Sequence, residues 1–327
     1  MREIRIGEAE AGQRMDKFLF RCLPGAGKSF LYKMMRKKNI VLNGKKATGS
    51  ELLKAGDALK IFFSEETLEK FSAEPAETKH VLDRRLIVYE DEQMIAVNKP
   101  AGMLSQKAVP SDVSLNEYLT GYLCREKDTL AAAGRFRPGV CNRLDRNTSG
   151  LVLAGKNPAA ARELSAMLKE RTMAKYYLCL ARGDIPEGQR LSGYLEKDSS
   201  ANRSEIYDGP REGCSYIETA WEPLERYGSC TLLKVELVTG RSHQIRCHLA
   251  HTGHPLAGDV KYGDAGWNRK LKETAGLNRQ FLHAWQAVFP KTEGILKNIS
   301  GKTLTAPLPA DLEETLTQIK GQETLHV

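Results

Sequence analysis

The stretch Cys141-Asn142-Arg143-Leu144-Asp145-Arg146-Asn147-Thr148-Ser149-Gly150 decides how this chain is read. A single carboxylate stands there between two arginines, and a Thr-Ser-Gly turn follows at once. Next comes Leu151-Val152-Leu153-Ala154-Gly155, a short apolar run that reads as a buried strand. The pattern predicts a loop that presents Asp145 at the edge of a sheet, with a rigid element behind it. An ion-paired surface loop has the same composition, so the rest of the chain must decide between the two.

The 327 residues are enough for a sizeable core and predict two domains. Charged residues at 28% and apolar ones at 41% describe an ordinary globular protein. The net charge of +8 favours a polyanionic partner. Cysteines at 22, 124, 141, 179, 214, 230 and 247 are scattered, odd in number and never spaced Cys-x-x-Cys. Neither a disulfide framework nor a zinc ribbon is expected, and a reducing, cytoplasmic setting is. The first ten residues are acidic and basic by turns, without the apolar core of a secretory signal. No apolar run reaches about 18 residues, so no membrane span is expected.

Residues 14 to 46 form the basic end, with ten Lys or Arg against the single acid Asp16. Met15, Leu19, Cys22 and Leu23 share one face of a first helix by their spacing. A second helix is expected with Ser29 as N-cap, burying Phe30, Leu31, Met34 and Met35. Lys33, Arg36 and Lys37 would then lie on its opposite face. A hairpin follows: Ile40-Val41-Leu42, a turn at Asn43-Gly44, then Lys45 and Lys46. Ala55-Gly56-Asp57 turns the chain into a strand ending near Ile61. A solvated surface would account for these lysines, but charges of one sign running from helix to hairpin suit a phosphate backbone. Gly25-Ala26-Gly27-Lys28-Ser29 imitates a phosphate-binding loop, yet the full motif needs Gly at 22, which is Cys, and a strand in front.

Residues 64 to 80 turn acidic and lack apolar periodicity, which predicts a linker between domains at 1–63 and 81–327. Beyond it, strands are expected at 86–91, 94–99, 151–155, 174–181, 230–237 and 281–289. Asn157 and Pro158 open a helix as N-cap and first-turn proline, with Ala161, Leu164, Met167 and Leu168 on its apolar face. Residues 240–250 read as a turn that becomes a helix. Single helices between strands, without β-α-β repetition, predict an α+β fold with a mixed or antiparallel sheet.

His243, His248, His251 and His254 are the obvious metal candidates, but Gly253 and Pro255 end the helix before a third ligand aligns. No metal site is expected. No Gly-x-Ser-x-Gly elbow and no Gly-x-Gly-x-x-Gly fingerprint before a helix occurs. What remains is one carboxylate among arginines, a strand tyrosine and an Arg/His/Gln cluster, joined to a basic module.

The amino-terminal features Arg14-Met15-Asp16-Lys17-Phe18-Leu19, the basic helix, Val41-Leu42-Asn43-Gly44-Lys45 and Gly56-Asp57 resemble the S4-like RNA-binding domain. Asn142 to Gly150 resembles the catalytic loop of the RluA family of pseudouridine synthases. Asn98-Lys99-Pro100-Ala101-Gly102 is similar to that family's first motif, and Lys175-Tyr176-Tyr177 to its Lys-x-Tyr motif. Gly240-Arg241-Ser242-His243-Gln244-Ile245-Arg246-Cys247-His248-Leu249, with Gly253 to Asp259, is similar to its arginine motif. Four motifs in family order cover nearly the whole chain.

The resemblance implies an isomerase that converts uridine in RNA, foremost large-subunit (23S) rRNA, to pseudouridine. It implies Asp145 as the catalytic aspartate, acting on the ribose as nucleophile at carbon 1′ or as base at the 2′ proton. Tyr177 would stack on the uracil and assist at carbon 5, and Arg246 would pair with Asp145 and keep it ionised. Arg143 would fill the gap left by the flipped uridine. Arg146, Arg241, His243, Lys99, Lys33, Arg36, Lys37 and Lys45 would contact RNA. The reaction breaks a bond to nitrogen and makes one to carbon, so no cofactor is expected, and flipping costs a few kcal/mol that phosphate and stacking contacts offset. A monomer working on rRNA, in a ribosome-assembly intermediate among other settings, is expected. A tRNA-modifying synthase and a non-catalytic assembly factor are the alternatives. Asn142 stands where the family usually has His.

Overall fold

A computed structural model of the chain describes residues 1–72, 80–125, 130, 136–198 and 203–324, with side chains as far as 321. The first sheet is built from β1 (Arg2–Arg5), β2 (Ile40–Leu42), β3 (Lys45–Lys46) and β4 (Ala58–Ile61) in the order β1-β4-β2-β3, all antiparallel. At the β2–β3 turn Asn43 and Gly44 both take positive φ, 51° and 74°, the pairing a two-residue hairpin requires. Helices α1 (Met15–Cys22) and α2 (Lys28–Arg36) cover this sheet. Met15, Leu19, Leu23, Leu31 and Met35 are buried in its core as their spacing predicts, while Cys22, Phe30 and Met34 are half-buried at the margin. Ser29 is not the cap: α2 starts earlier, because the Leu31 N–H already bonds the carbonyl of Gly27. With α1 in front of it, the glycine-lysine stretch lacks the strand a phosphate loop needs.

The expected linker is partly structured. Ser64 accepts the Thr67 N–H and opens α3 (Glu65–Phe71), whose Leu68 is buried and whose Phe71 ring lies 5.2 Å from that of Phe30. Two apolar residues three apart seat one short helix, too little for a periodic signal. The rest of that stretch, 73–79, lies outside the described residues.

The second sheet holds β5 (Ile87–Glu90), β6 (Met94–Lys99), β7 (Ser149–Gly155), β8 (Ala174–Arg182), β9 (Gln189–Asp198), β10 (Arg203–Tyr207), β11 (Ser215–Tyr227), β12 (Cys230–Leu237), β13 (Leu282–Val288) and β14 (Thr303–Thr305). Its order is β10-β9-β11-β12-β8-β13-β7-β6-β5, with β14 on β13. Strands β13 and β7 run parallel, while the other described pairs are antiparallel. The fold is α+β with a mixed sheet, as the sequence predicts. All seven residues of β7 are buried, because Val152 and Ala154 face one core and Leu151 and Leu153 the other. That two-sided burial explains an apolar run without alternation. On the first side lie α4 (Leu115–Arg125) and α6 (Gln244–His251), and on the second α5 (Pro158–Glu170), capped by Asn157 as expected. Helices α7 (Ala265–Ala275) and α8 (Ala310–Thr324) close the carboxy-terminal end.

Candidate active site

Adjacent strands align Lys99, Gly150, Ala284, Tyr177 and Val235 in one row across β6, β7, β13, β8 and β12. Gly150 is obligatory in that row. Its φ is +116°, and a Cβ there would meet the Ala284 carbonyl oxygen at 2.2 Å. The chain can therefore leave the Asp145 loop and enter the sheet beside β13 only through glycine.

The loop before Gly150 is held carbonyl by carbonyl. Leu144 exchanges hydrogen bonds with the Ser105 hydroxyl through both its N–H and its carbonyl, each at 3.0 Å. The Asp145 carbonyl accepts the Thr148 N–H at 3.0 Å. The Arg146 carbonyl accepts the Gly102 N–H at 2.8 Å and the Lys99 ammonium at 3.2 Å. Arg146 returns its Nε–H to the Gly102 carbonyl at 3.0 Å. The Pro-Ala-Gly loop and the aspartate loop thus form one unit.

Asp145 is the exposed end of a charged chain. Arg246, on α6, donates from Nη1 to Asp145 Oδ2 at 2.8 Å. Its Nε and Nη2 donate to the two oxygens of Asp259 at 2.7 and 2.9 Å. The side chains of Arg246 and Asp259 are 8% and 0% exposed, while that of Asp145 is 27% exposed, so of the three Asp145 is the one open to solvent. Asp259 also accepts the N–H groups of Lys261 and Tyr262, and these bonds together with Arg246 hold its carboxyl below the usual range against the opposing effect of burial. His243 takes a left-handed φ of 57° at the start of α6. Its Nε2 lies 3.8 Å from Asp145, and its Nδ1 is 2.9 Å from the Tyr262 hydroxyl. Burial pushes the His243 pKa down against the pull of Asp145. The Arg246 and Arg203 guanidiniums lie 5.2 and 5.4 Å from the centre of the Tyr262 ring.

Tyr177 is 7% exposed and packs with Leu144, Val235 and Ala284. Burial, with a smaller push from Asp145, raises its phenol pKa well above 10. A small crevice beside Tyr177 is lined by Asn142, Lys175, Gln286 and apolar neighbours. Asp145 is near enough to act on the Tyr177 phenol and accepts a hydrogen bond from Arg246, so the three groups share one region.

The sequence of a protein family described as RNA pseudouridylate synthase matches residues 93–251. "Ribosomal large subunit pseudouridine synthase C" of Haemophilus ducreyi is 33% identical over 322 residues, covering 97% of this chain and 95% of that protein. The protein of the same name from Escherichia coli is 34% identical over 324 residues, covering 97% and 96%. This chain belongs to the RluA-type family of pseudouridine synthases. The solved human RNA Pseudouridylate Synthase Domain Containing 4 shares the fold, with a TM-score of 0.55, 20% identity, and coverage of 72% of this chain and 93% of that one.

In the synthase, three residues expected from sequence, Asp145, Tyr177 and Arg246, come together in one region. Arg143, Arg146 and Arg241 are exposed around it. Lys33, Arg36, Lys37 and Lys45 are exposed on the separate first sheet and its helix. Lys99 overturns its expected role as an RNA contact. It is completely buried, and its ammonium donates to the carbonyls of Pro100, Met103 and Arg146, at 2.9, 2.9 and 3.2 Å. Three acceptors take the three donors of an ammonium, leaving none for a phosphate. Burial, then the Arg279 charge, push its pKa down to about 7 against Asp145.

Asn142 also finds its explanation. Its amide donates to the Leu151 carbonyl at 3.0 Å and accepts the Leu153 N–H at 2.8 Å. It serves β7 as a strand partner beyond Gly150, where the pairing with β13 ends. The other histidines bind within the protein: His248 Nδ1 to Thr219 Oγ1 at 3.0 Å, His251 to Asp208 at 3.2 Å, and His254 Nδ1 to the Arg182 carbonyl at 2.9 Å. Among the described residues no three His, Cys, Asp or Glu side chains converge as metal ligands. Sequence reasoning quoted Asp259 in a motif but gave it no task, and missed Tyr262 and Ser105. Only the spacing of Asp259 after the Gly253-His254-Pro255 turn pointed to it.

Proposed function

We propose that this synthase isomerises uridines of large-subunit rRNA, with Asp145 as the carboxylate that acts on the ribose of a flipped-out uridine. The observation that carries the proposal is the Arg246 guanidinium, which grips buried Asp259 with two bonds and leaves one N–H at 2.8 Å to orient Asp145 at the protein surface. The rRNA target is supported by relatives that bear that name and match 97% of the chain. Held by fixed donors, the carboxylate needs little reorganisation when it meets the sugar, whether it attacks carbon 1′ or takes the 2′ proton. The raised pKa of Tyr177 keeps its phenol protonated at neutral pH, so its ring acts first as a platform for the uracil. Exposed Arg143 fills the place of the flipped base, and Arg146 and Arg241 hold the adjoining strand. The basic residues Lys33, Arg36, Lys37 and Lys45 of an S4-like module, residues 1–63, add phosphate contacts at a distance.

Tritium release from uridine-labelled rRNA tests the proposal. Asp145→Asn should lower the rate by at least about 10³-fold, the scale of losing a central catalytic group, while RNA binding persists. Near wild-type release by that variant would refute it, and release from tRNA but not rRNA would redirect the substrate assignment.

A further inference from the structure

The catalytic region has a contact set that the chemistry above leaves unused. Residues 279–281, leading into β13, lie between the two halves of the site. On one side they press on the turn that carries Asp259. A Cβ on Gly258 would meet the Arg279 carbonyl oxygen at 2.0 Å, and the Phe281 N–H donates to the Ala257 carbonyl at 2.8 Å. On the other side they hold the loop that carries Asp145. Arg279 Nη1 donates to the Asn147 carbonyl at 3.2 Å, Nη2 lies 3.4 Å from Ser149 Oγ, and Gln280 Nε2 donates to Thr148 Oγ1 at 3.3 Å. The remaining edge of the guanidinium goes to Asp311 in the first turn of α8, with Nε–Oδ2 at 2.7 Å and Nη2–Oδ1 at 3.0 Å.

The other carbonyls of the loop, at 144, 145 and 146, are tied to Ser105, Thr148, Gly102 and Lys99. Among the described residues, none of those partners hydrogen-bonds the Asp259 turn. Arg279 bears on both, since its backbone abuts Gly258 while its side chain bonds Asn147. Its side chain is 10% exposed and that of Asp311 is 55% exposed, so the ion pair sits at the surface and adds little stability. Its effect should therefore appear in geometry.

We propose that Arg279, aimed by Asp311, is a positioning residue that fixes Asp145 against the Arg246–Asp259 clamp, which makes the start of α8 part of the catalytic apparatus. This rests on Asp145 being the catalytic carboxylate. A misplacement of about 1 Å at a reacting group costs on the order of 10²-fold in rate.

The test uses the full chain and measures the single-turnover rate at saturating rRNA, the RNA Kd and the Tm. Arg279→Ala should slow the saturated step about 30- to 100-fold and Asp311→Ala about 5- to 10-fold, with Kd unchanged and Tm nearly so. The double variant should be no slower than Arg279→Ala, because Asp311 acts through Arg279. A saturated rate for Arg279→Ala within about twofold of wild type overturns the proposal. So do losses that multiply in the double variant, or losses confined to Kd. If Arg279→Ala fails to fold, Asp311→Ala decides alone, and an unchanged rate overturns the proposal. Asp145→Asn is assayed in parallel. Activity there refutes the aspartate itself, whereas an inactive Asp145→Asn beside a fully active Arg279→Ala refutes only the brace.

Discussion

Two groups of cations in this chain have the same residue types and opposite surroundings. Lys33, Arg36, Lys37 and Lys45 are exposed on the first sheet and its second helix. Lys99 and Arg246 of the catalytic region are enclosed, and their donors go to carbonyls and carboxylates of the protein. An exposed cation keeps its water and can exchange it for a phosphate at little cost. An enclosed one must bond inside the fold, because an unpaired buried charge is costly. Burial thus converts charge into geometry: Lys99 holds a loop and Arg246 aims a carboxylate.

The contrast extends to histidines and can be broken there first. His248 and His283 are buried, and burial pushes each pKa down to about 4 from 6.5. The folded protein then binds fewer protons than the unfolded chain between those values. Stability is full above pH 6.5 and falls as the pH drops toward 4, by about 3 kcal/mol for each histidine. Urea titrations across that range measure it, and a flat profile would mean that burial does not govern these groups. Next in size, Lys99→Met should destabilise by about 2–4 kcal/mol, since it strands the carbonyls of Pro100 and Met103 and takes from that of Arg146 one of its two donors, and should leave the salt dependence of RNA binding unchanged. Urea midpoints and filter binding check both halves, and a lowered salt slope would return Lys99 to the RNA-contacting group. Smallest is neutralising Lys33, Arg36 and Lys37 together. It should weaken RNA affinity about tenfold and reduce the salt slope by roughly two to three, with stability within about 0.5 kcal/mol. An unchanged slope would make that face a solvated surface.

Much of the site was legible beforehand. Asp145, Tyr177 and Arg246 each stand in a local pattern whose residue types suit the proposed chemistry, and Gly150 was visible as part of a turn. The helix at 65–71 was hidden because two apolar residues do not make a period. Lys99 was misread because a lysine beside Pro-Ala-Gly looks the same in sequence whether its ammonium faces water or three carbonyls. Asn142 looked like a departure from the family, yet an amide that donates to Leu151 and accepts from Leu153 does what a strand neighbour would do.

The sequence by itself determined the family and the α+β class, and singled out Asp145 as the candidate carboxylate, since these are written in contiguous motifs and in periodicities of two and 3.6 residues. Only the tertiary structure decided which cations stay exposed and which are tied to the loop. It also decided that Asp259 clamps Arg246 and that Arg279 joins the Asn147 loop to α8. The physical reason is that burial and pairing are properties of three-dimensional neighbours, here drawn from segments up to 132 positions apart.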